Sequence, residues 1–95
     1  MFQCITVAKI KEGTLDSIIK VANILAEATR KEEGNIYYYL LQAADATDTL
    51  IFSEAWEAEA NFLAHVQGAP CKKFGETMDP SMAGAPQIYP CKVLV

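Results

Sequence analysis

"GNIYYYLLQAADATDTLIFSEAWEAEANFLAH", residues 34–65, sets two strands and a helix end to end, and the rest of the chain is read outward from it. Asn35–Gln42 is an aliphatic and aromatic run with three consecutive tyrosines, which reads as a strand. "AADATD" (43–48) is a turn, and Thr49–Trp56 is the next strand. From Glu57 to Gln67 helix formers take over, with Ala60, Phe62, Leu63 and Val66 as the apolar positions. On a helical wheel that apolar face centres near Leu63 and Val66, with His65 at its margin beside Phe62 and Asn61 facing solvent.

Upstream, Phe2–Ile10 reads as a first strand, closed by Lys11-Glu12-Gly13. Thr14 is placed as an N-cap, with Asp16 in the first turn. Leu15, Ile18, Ile19, Ala22, Leu25 and Ala26 recur at helical spacing, and the helix is expected to run to Glu33, with Gly34 as its terminator. Downstream, Gly68-Ala69-Pro70 breaks the second helix. Pro70 can start another helical turn through Lys73 and Phe74, Asp79–Pro86 is a loop, and Gln87–Val95 is a last strand. Pro90 marks that strand as an edge or a bulge. The order β-α-β-β-α-β predicts one α+β domain over 1–95, a single sheet with helices on one face.

The other face of that sheet raises a further expectation. Both parities of the second strand are apolar or aromatic: Ile36, Tyr38 and Leu40 against Tyr37, Tyr39 and Leu41. A sheet with one wet face alternates instead. A second cover is needed, and a second copy packed sheet to sheet makes the expected state a homodimer.

Composition excludes several functions. Net charge is −4, and basic residues come at most in pairs, Arg30-Lys31 and Lys72-Lys73, so no nucleic-acid surface is expected. No apolar run approaches the roughly 20 residues of a membrane helix, and nothing resembles a signal peptide. Three cysteines, Cys4, Cys71 and Cys91, form neither a disulfide framework nor a zinc motif, which reads as a reduced, cytoplasmic protein. One His with scattered carboxylates gives no metal cluster, and no phosphate-binding glycine motif signals a nucleotide cofactor.

Candidate chemistry gathers at the end of the third strand. His65, the sole His, is either a general base or a hydrogen-bonded structural residue. Trp56 is either core or a pocket wall. Glu54 shares the parity of Trp56, and an acid on an apolar face requires a partner or a ligand. Tyr38 offers a hydroxyl to the core or to a cavity, and Asn35 opens its strand as a turn residue or a ligand contact. Cys71, beside two lysines and a helix start, is either a small buried side chain or an activated thiol.

"ATRKEEGNIYYYL" (28–40) followed by "DTLIFSEAWEAEANFLAH" (48–65) resembles the antibiotic biosynthesis monooxygenase (ABM) domain. The matching features are Glu32-Glu33-Gly34 before a strand bearing Tyr38, Glu54-Ala55-Trp56 at the end of the next strand, and Ala60…His65 on a helix. The resemblance implies a ferredoxin-like fold that pairs through its sheets into a dimeric α/β barrel. It also implies oxidation of quinols, phenols or anthrones by O₂ without flavin, haem or metal, the substrate supplying the electrons. On that reading His65 is the base, Tyr38 an oxyanion donor and Trp56 a stacking wall, while Glu54, Asn35 and Phe62 complete the substrate contacts. Haem-degrading relatives carry an Asn on the first strand and a later His ligand, both missing here. A non-catalytic ligand-binding or stress-related protein and a proton-shuttling isomerase remain the alternatives.

Overall fold

The computed structural model describes all of residues 1–95 and shows the order β-α-β-β-α-α-β. Strands β1 (Phe2–Lys9), β2 (Asn35–Ala43), β3 (Ala46–Trp56) and β4 (Gln87–Lys92) form one antiparallel sheet in the order β2-β3-β1-β4. Helices α1 (Leu15–Thr29), α2 (Glu59–Gln67) and α3 (Ala69–Ser81) complete the chain. No helix is long and apolar enough to cross a membrane.

The register sorts side chains into rows across the sheet. Tyr38, Glu54, Cys4 and Pro90 are opposite one another, and so are Leu40, Phe52, Thr6 and Ile88. These rows carry the buried side chains of the helix-facing side. Its core joins Ala8, Ile10, Tyr38, Leu50 and Phe52 to Ile18 and Leu25 of α1 and Met78 of α3. Of these, Ile10, Ile18, Leu25, Leu50, Phe52 and Met78 each contribute roughly 1.5–3 kcal/mol when fully buried. The intervening rows are Tyr39, Ser53, Ile5, Tyr89 and Leu41, Ile51, Val7, Gln87. They share the opposite face, where Tyr39, Leu41 and Tyr89 are exposed and Ile5, Val7 and Ile51 half-covered. Both faces are therefore apolar, as the strand parities predict.

Several boundaries differ from the sequence expectation. Helix α1 ends at Thr29, not Glu33. There the chain tightens into three-residue turns, with Lys31 N–H on Ala28 O and Glu32 N–H on Thr29 O. Gly34, at φ 80°, serves the turn into β2 rather than the helix end, and a Cβ there would overlap the Asn61 side-chain amide. Thr14 occupies the N-cap position without capping, because its hydroxyl bonds back to Lys11 O at 2.6 Å. The β2–β3 connection is tighter than 43–48, with Ala43 paired to Ala46. β4 stops at Lys92. Pro90 does lie on an edge strand, where the lack of an N–H is tolerated.

The largest departure is α3. A single turn and a loop were expected from Pro70 to Pro86, and the chain forms a helix of 13 residues. Gly75 and Pro80 mask its periodicity, yet Cys71, Phe74 and Met78 fall at helical spacing and pack against the core. Pro70 fits the first turn, where no donor is needed. Pro80 sits in the last turn, next to Ser81, whose Oγ donates to Thr77 O at 2.7 Å. With β1 and β3 this helix forms the walls of a cavity.

Candidate functional site

His65 is the buried centre of α2, 3% exposed, while Leu63 and Val66 are exposed. The wheel reading is thus inverted. It treated hydrophobicity as the guide to the buried face, but α2 turns its imidazole inward because two carboxylates and a thiol receive it there. Phe62, one turn earlier on the same face, packs on Phe2 with ring centroids 5.2 Å apart. Asn61 is half-buried rather than solvent-facing: its Oδ1 accepts from Ala58 N–H at 3.1 Å and its amide closes over Gly34.

Glu32, from the α1–β2 connection, holds His65 Nδ1 at 2.7 Å through Oε1. The early end of α1 brings this carboxylate to the ring. On the other side His65 Nε2 lies 3.1 Å from Cys71 Sγ and 3.8 Å from Glu54 Oε1. Trp56 Nε1 donates to the same Glu54 oxygen at 2.9 Å. With Nδ1–H given to Glu32, the Nε2 lone pair accepts from the Cys71 S–H. Tyr38 and Trp56 bracket the imidazole at centroid distances of 5.5 and 4.9 Å.

Burial shapes the titration of this cluster. It raises the Glu54 carboxyl above the usual range, against the Trp56 hydrogen bond and the nearby imidazole, which lower it. Burial likewise pushes the Cys71 thiol up to about 12, with Glu54 and Glu32 adding to the rise. The thiol is therefore a proton carrier at neutral pH, and the activation suggested by its lysine neighbours is not seen. Tyr38 is also raised, first by burial and then by Glu54.

These groups border a cavity of about 240 Å³ between the sheet and α2–α3. Tyr38, Glu54, Phe62, His65 and Cys71 line it, with Phe52, Phe74 and Met78 as apolar walls. Its exposed members, Val66, Asp79 and Ile88, mark the mouth. Tyr38 is 4% exposed; its hydroxyl makes no hydrogen bond within the protein and keeps contact with solvent, Thr29 Oγ1 being the one fully enclosed side-chain oxygen left unpaired. A larger groove of about 340 Å³ lies between α1 and the β2 edge, but holds no carboxylate, imidazole or thiol.

Two expected contacts do not reach the cavity. Trp56 is 0% exposed and sits behind His65 and Glu54, so it braces them and cannot stack on a ligand. Asn35 spends its amide on Tyr37 O and Ala55 O at 3.1 and 3.4 Å, at the bulge that opens β2. In the sequence Glu32 stands only within the Glu32-Glu33-Gly34 motif, and nothing local pairs either Glu32 or Cys71 with His65. The signal for Cys71 was its helical spacing with Phe74 and Met78. No group of three His, Cys, Asp or Glu is placed to hold a metal ion.

Comparison with known proteins follows the same lines. The sequence profile described as "Antibiotic biosynthesis monooxygenase" matches residues 1–77. No curated protein sequence matches the chain. Among solved structures, a Nitrosomonas europaea protein provisionally described as an antibiotic biosynthesis monooxygenase superposes with a TM-score of 0.94 at 22% identity, covering 100% of both chains. A conserved protein from Methanosarcina mazei Go1 gives 0.92 at 20% identity, over 96% of this chain and 90% of that one. A Caulobacter crescentus CB15 protein, also provisionally placed among these monooxygenases, gives 0.92 at 22%, over 99% and 90%. At these identities the structures speak for the fold alone. The profile match spans most of the chain and includes every residue of the His65 cluster, so the chain belongs to the antibiotic biosynthesis monooxygenase family.

Proposed function

We propose that the protein is a cofactor-free monooxygenase that oxidises a small aromatic quinol or phenol with O₂, working as a homodimer. The observation that carries this reading is the imidazole of His65, fixed through Nδ1 by Glu32 and turned through Nε2 toward a small apolar cavity. A carboxylate–imidazole pair holds the ring in the tautomer whose free lone pair serves as a base. The substrate hydroxyl gives its proton to Nε2, displacing the Cys71 S–H. The resulting anion is electron-rich enough to reduce O₂ directly. Carbon–oxygen bond formation places one oxygen atom on the ring, and loss of water carries off the other, so quinol and O₂ become hydroxyquinone and water.

Tyr38 supplies the second role. Its hydroxyl, unpartnered and facing the cavity, donates to the oxygen on which charge develops. Phe52, Phe62 and Phe74 keep that region dry. Glu54 and Trp56 hold the ring from behind and are positioning residues. A volume of about 240 Å³ lies below the roughly 300–1,000 Å³ of drug-sized pockets, which favours one- or two-ring substrates over polycyclic ones. The isomerase alternative is disfavoured for a phosphorylated substrate, since the lining carries Glu54 and Asp79 and neither Lys nor Arg.

Oxygen uptake by metal-stripped protein tests the proposal, with a panel of hydroquinones, naphthoquinols and anthrones. Uptake above autoxidation, falling at least about tenfold in Tyr38→Phe and further in His65→Ala, is expected. A catalysed rate that both variants retain in full would refute the assignment.

A further inference from the structure

Cys71 has no part in the proposed oxidation, yet its sulfur lies 3.1 Å from His65 Nε2 inside the cavity. The sequence of contacts is thiol, imidazole, carboxylate: Cys71 Sγ to His65 Nε2, then His65 Nδ1 to Glu32 Oε1 at 2.7 Å. That is the geometry of a nucleophile, its base and the group that orients the base. A fourth element lies in the same cavity, the Tyr38 hydroxyl, on a side chain more than nine-tenths buried and without a protein partner. With no partner in the protein, that hydroxyl is free to donate to an oxygen of something bound in the cavity.

We propose that Cys71 is a covalent capture site for quinones, adding to them by His65-assisted conjugate addition. The proposal rests on the reading that this cavity accepts flat aromatic quinols, because a quinone has the same shape. The ring carbon β to one carbonyl accepts the sulfur, forming the C–S bond. The Cys71 proton passes to His65 Nε2, and the C=C pair moves onto the carbonyl oxygen, where Tyr38 donates. The proton on the attacked carbon then leaves and the ring regains aromaticity. Both quinone oxygens end protonated, giving a thioether hydroquinone. Thiol and quinone account for every atom, the quinone is the electron acceptor, and no further oxidant is required. The adduct fills the space before Nε2, so accumulated quinone shuts the site down.

The chain supplies its own controls. Cys4 is 1% exposed in the core, and Cys91 is half-buried on edge strand β4, with its thiol on Tyr89 O and no base beside it. A thiol held protonated by burial reacts poorly alone, so dependence on His65 is the signature that separates capture from ordinary thiol labelling.

The experiment is oxygen-free incubation of the whole protein with one equivalent of 1,4-naphthoquinone, followed by intact mass and peptide mapping over time. One adduct on Cys71 is expected, forming about tenfold or more faster than on Cys91, and slowed about tenfold in Tyr38→Phe and in His65→Gln while Cys91 labelling stays unchanged. Tyr38→Phe removes only an oxygen that bonds nothing in the protein, so it folds even where a His65 variant does not. Labelling of Cys91 first, no labelling, or a Cys71 rate indifferent to Tyr38→Phe overturns the proposal. Oxygen uptake is scored separately. Capture without uptake leaves this inference standing and removes the oxygenase reading, and uptake without capture does the reverse.

Discussion

Glu32→Gln is the most informative single change, because the chain has one His and its ring can be observed alone. His65 Nδ1 lies 2.7 Å from Glu32 Oε1, and because a carboxylate only accepts, that contact assigns the proton to Nδ1. The other tautomer would set a lone pair against a carboxylate at that distance and lose a charge-assisted hydrogen bond, at a cost of about 1.5–3 kcal/mol. At a pH where the ring is neutral, the Nδ1–H form should therefore dominate by about ten- to a hundredfold. Glutamine keeps the shape but offers either its oxygen or its NH₂ group, and a neutral hydrogen bond contributes only about 0.5–1.5 kcal/mol. Glu32 is 27% exposed, so part of the difference is screened, and a net loss of about 1 kcal/mol is expected. For a domain of this size that lowers Tm by about 4–8 °C. Long-range ¹H–¹⁵N correlation on histidine-labelled protein reads the tautomer directly, and calorimetry reads the stability. A native ring mainly in the Nε2–H form would refute the Glu32–His65 reasoning. So would a Gln variant that changes neither spectrum nor Tm.

Other consequences follow from particular residues. Glu54 has a raised carboxyl pKa in the folded state, so the native state holds that proton longer than the unfolded chain. Its contribution to stability is thus greatest at acid pH and falls as pH rises from the unfolded carboxylate range through the folded value. Glu54→Gln should flatten that fall in urea titrations across pH, and an unchanged slope would count against it. Trp56→Phe removes buried volume and the donor to Glu54, and should cost about 2–4 kcal/mol in urea unfolding; a loss below about 1 kcal/mol would mean that the indole does not brace Glu54. Thr29 is 0% exposed with its hydroxyl unpartnered, so Thr29→Val should be neutral or raise stability by about 1 kcal/mol, and a drop in Tm would reveal a missed partner. Ile51→Glu places a charge in the middle of the bare sheet face and should give monomers in light scattering where the native chain is expected to give dimers. A native chain that is monomeric at micromolar concentration would refute the dimer.

The sheet was legible because strand signals are local. Three tyrosines between Asn35 and Gln42, alternation from Thr49 to Trp56 and Pro90 in an edge strand each declare themselves within a few residues. The shared parity of Glu54 and Trp56 likewise announced a contact, which the 2.9 Å hydrogen bond fulfils. Local signals failed at α3, where Gly75 and Pro80 score against a helix that the core nonetheless stabilises through Phe74 and Met78. They failed again on α2, where the buried residue is the polar one.

What the sequence by itself determined is the set of strands, two of the helices and the identity of the groups able to do chemistry. Alternation and helix propensity are properties of neighbouring residues. What only the tertiary structure decided is who meets whom at the imidazole. Glu32, Glu54 and Cys71 arrive from a turn, a strand and an unforeseen helix, 33, 11 and 6 residues from His65 along the chain. Their attraction to His65 depends on burial and on distances of a few ångströms, which no local pattern encodes. Burying the imidazole is favourable only because those partners meet it there, and that same encounter turns Nε2 toward the cavity.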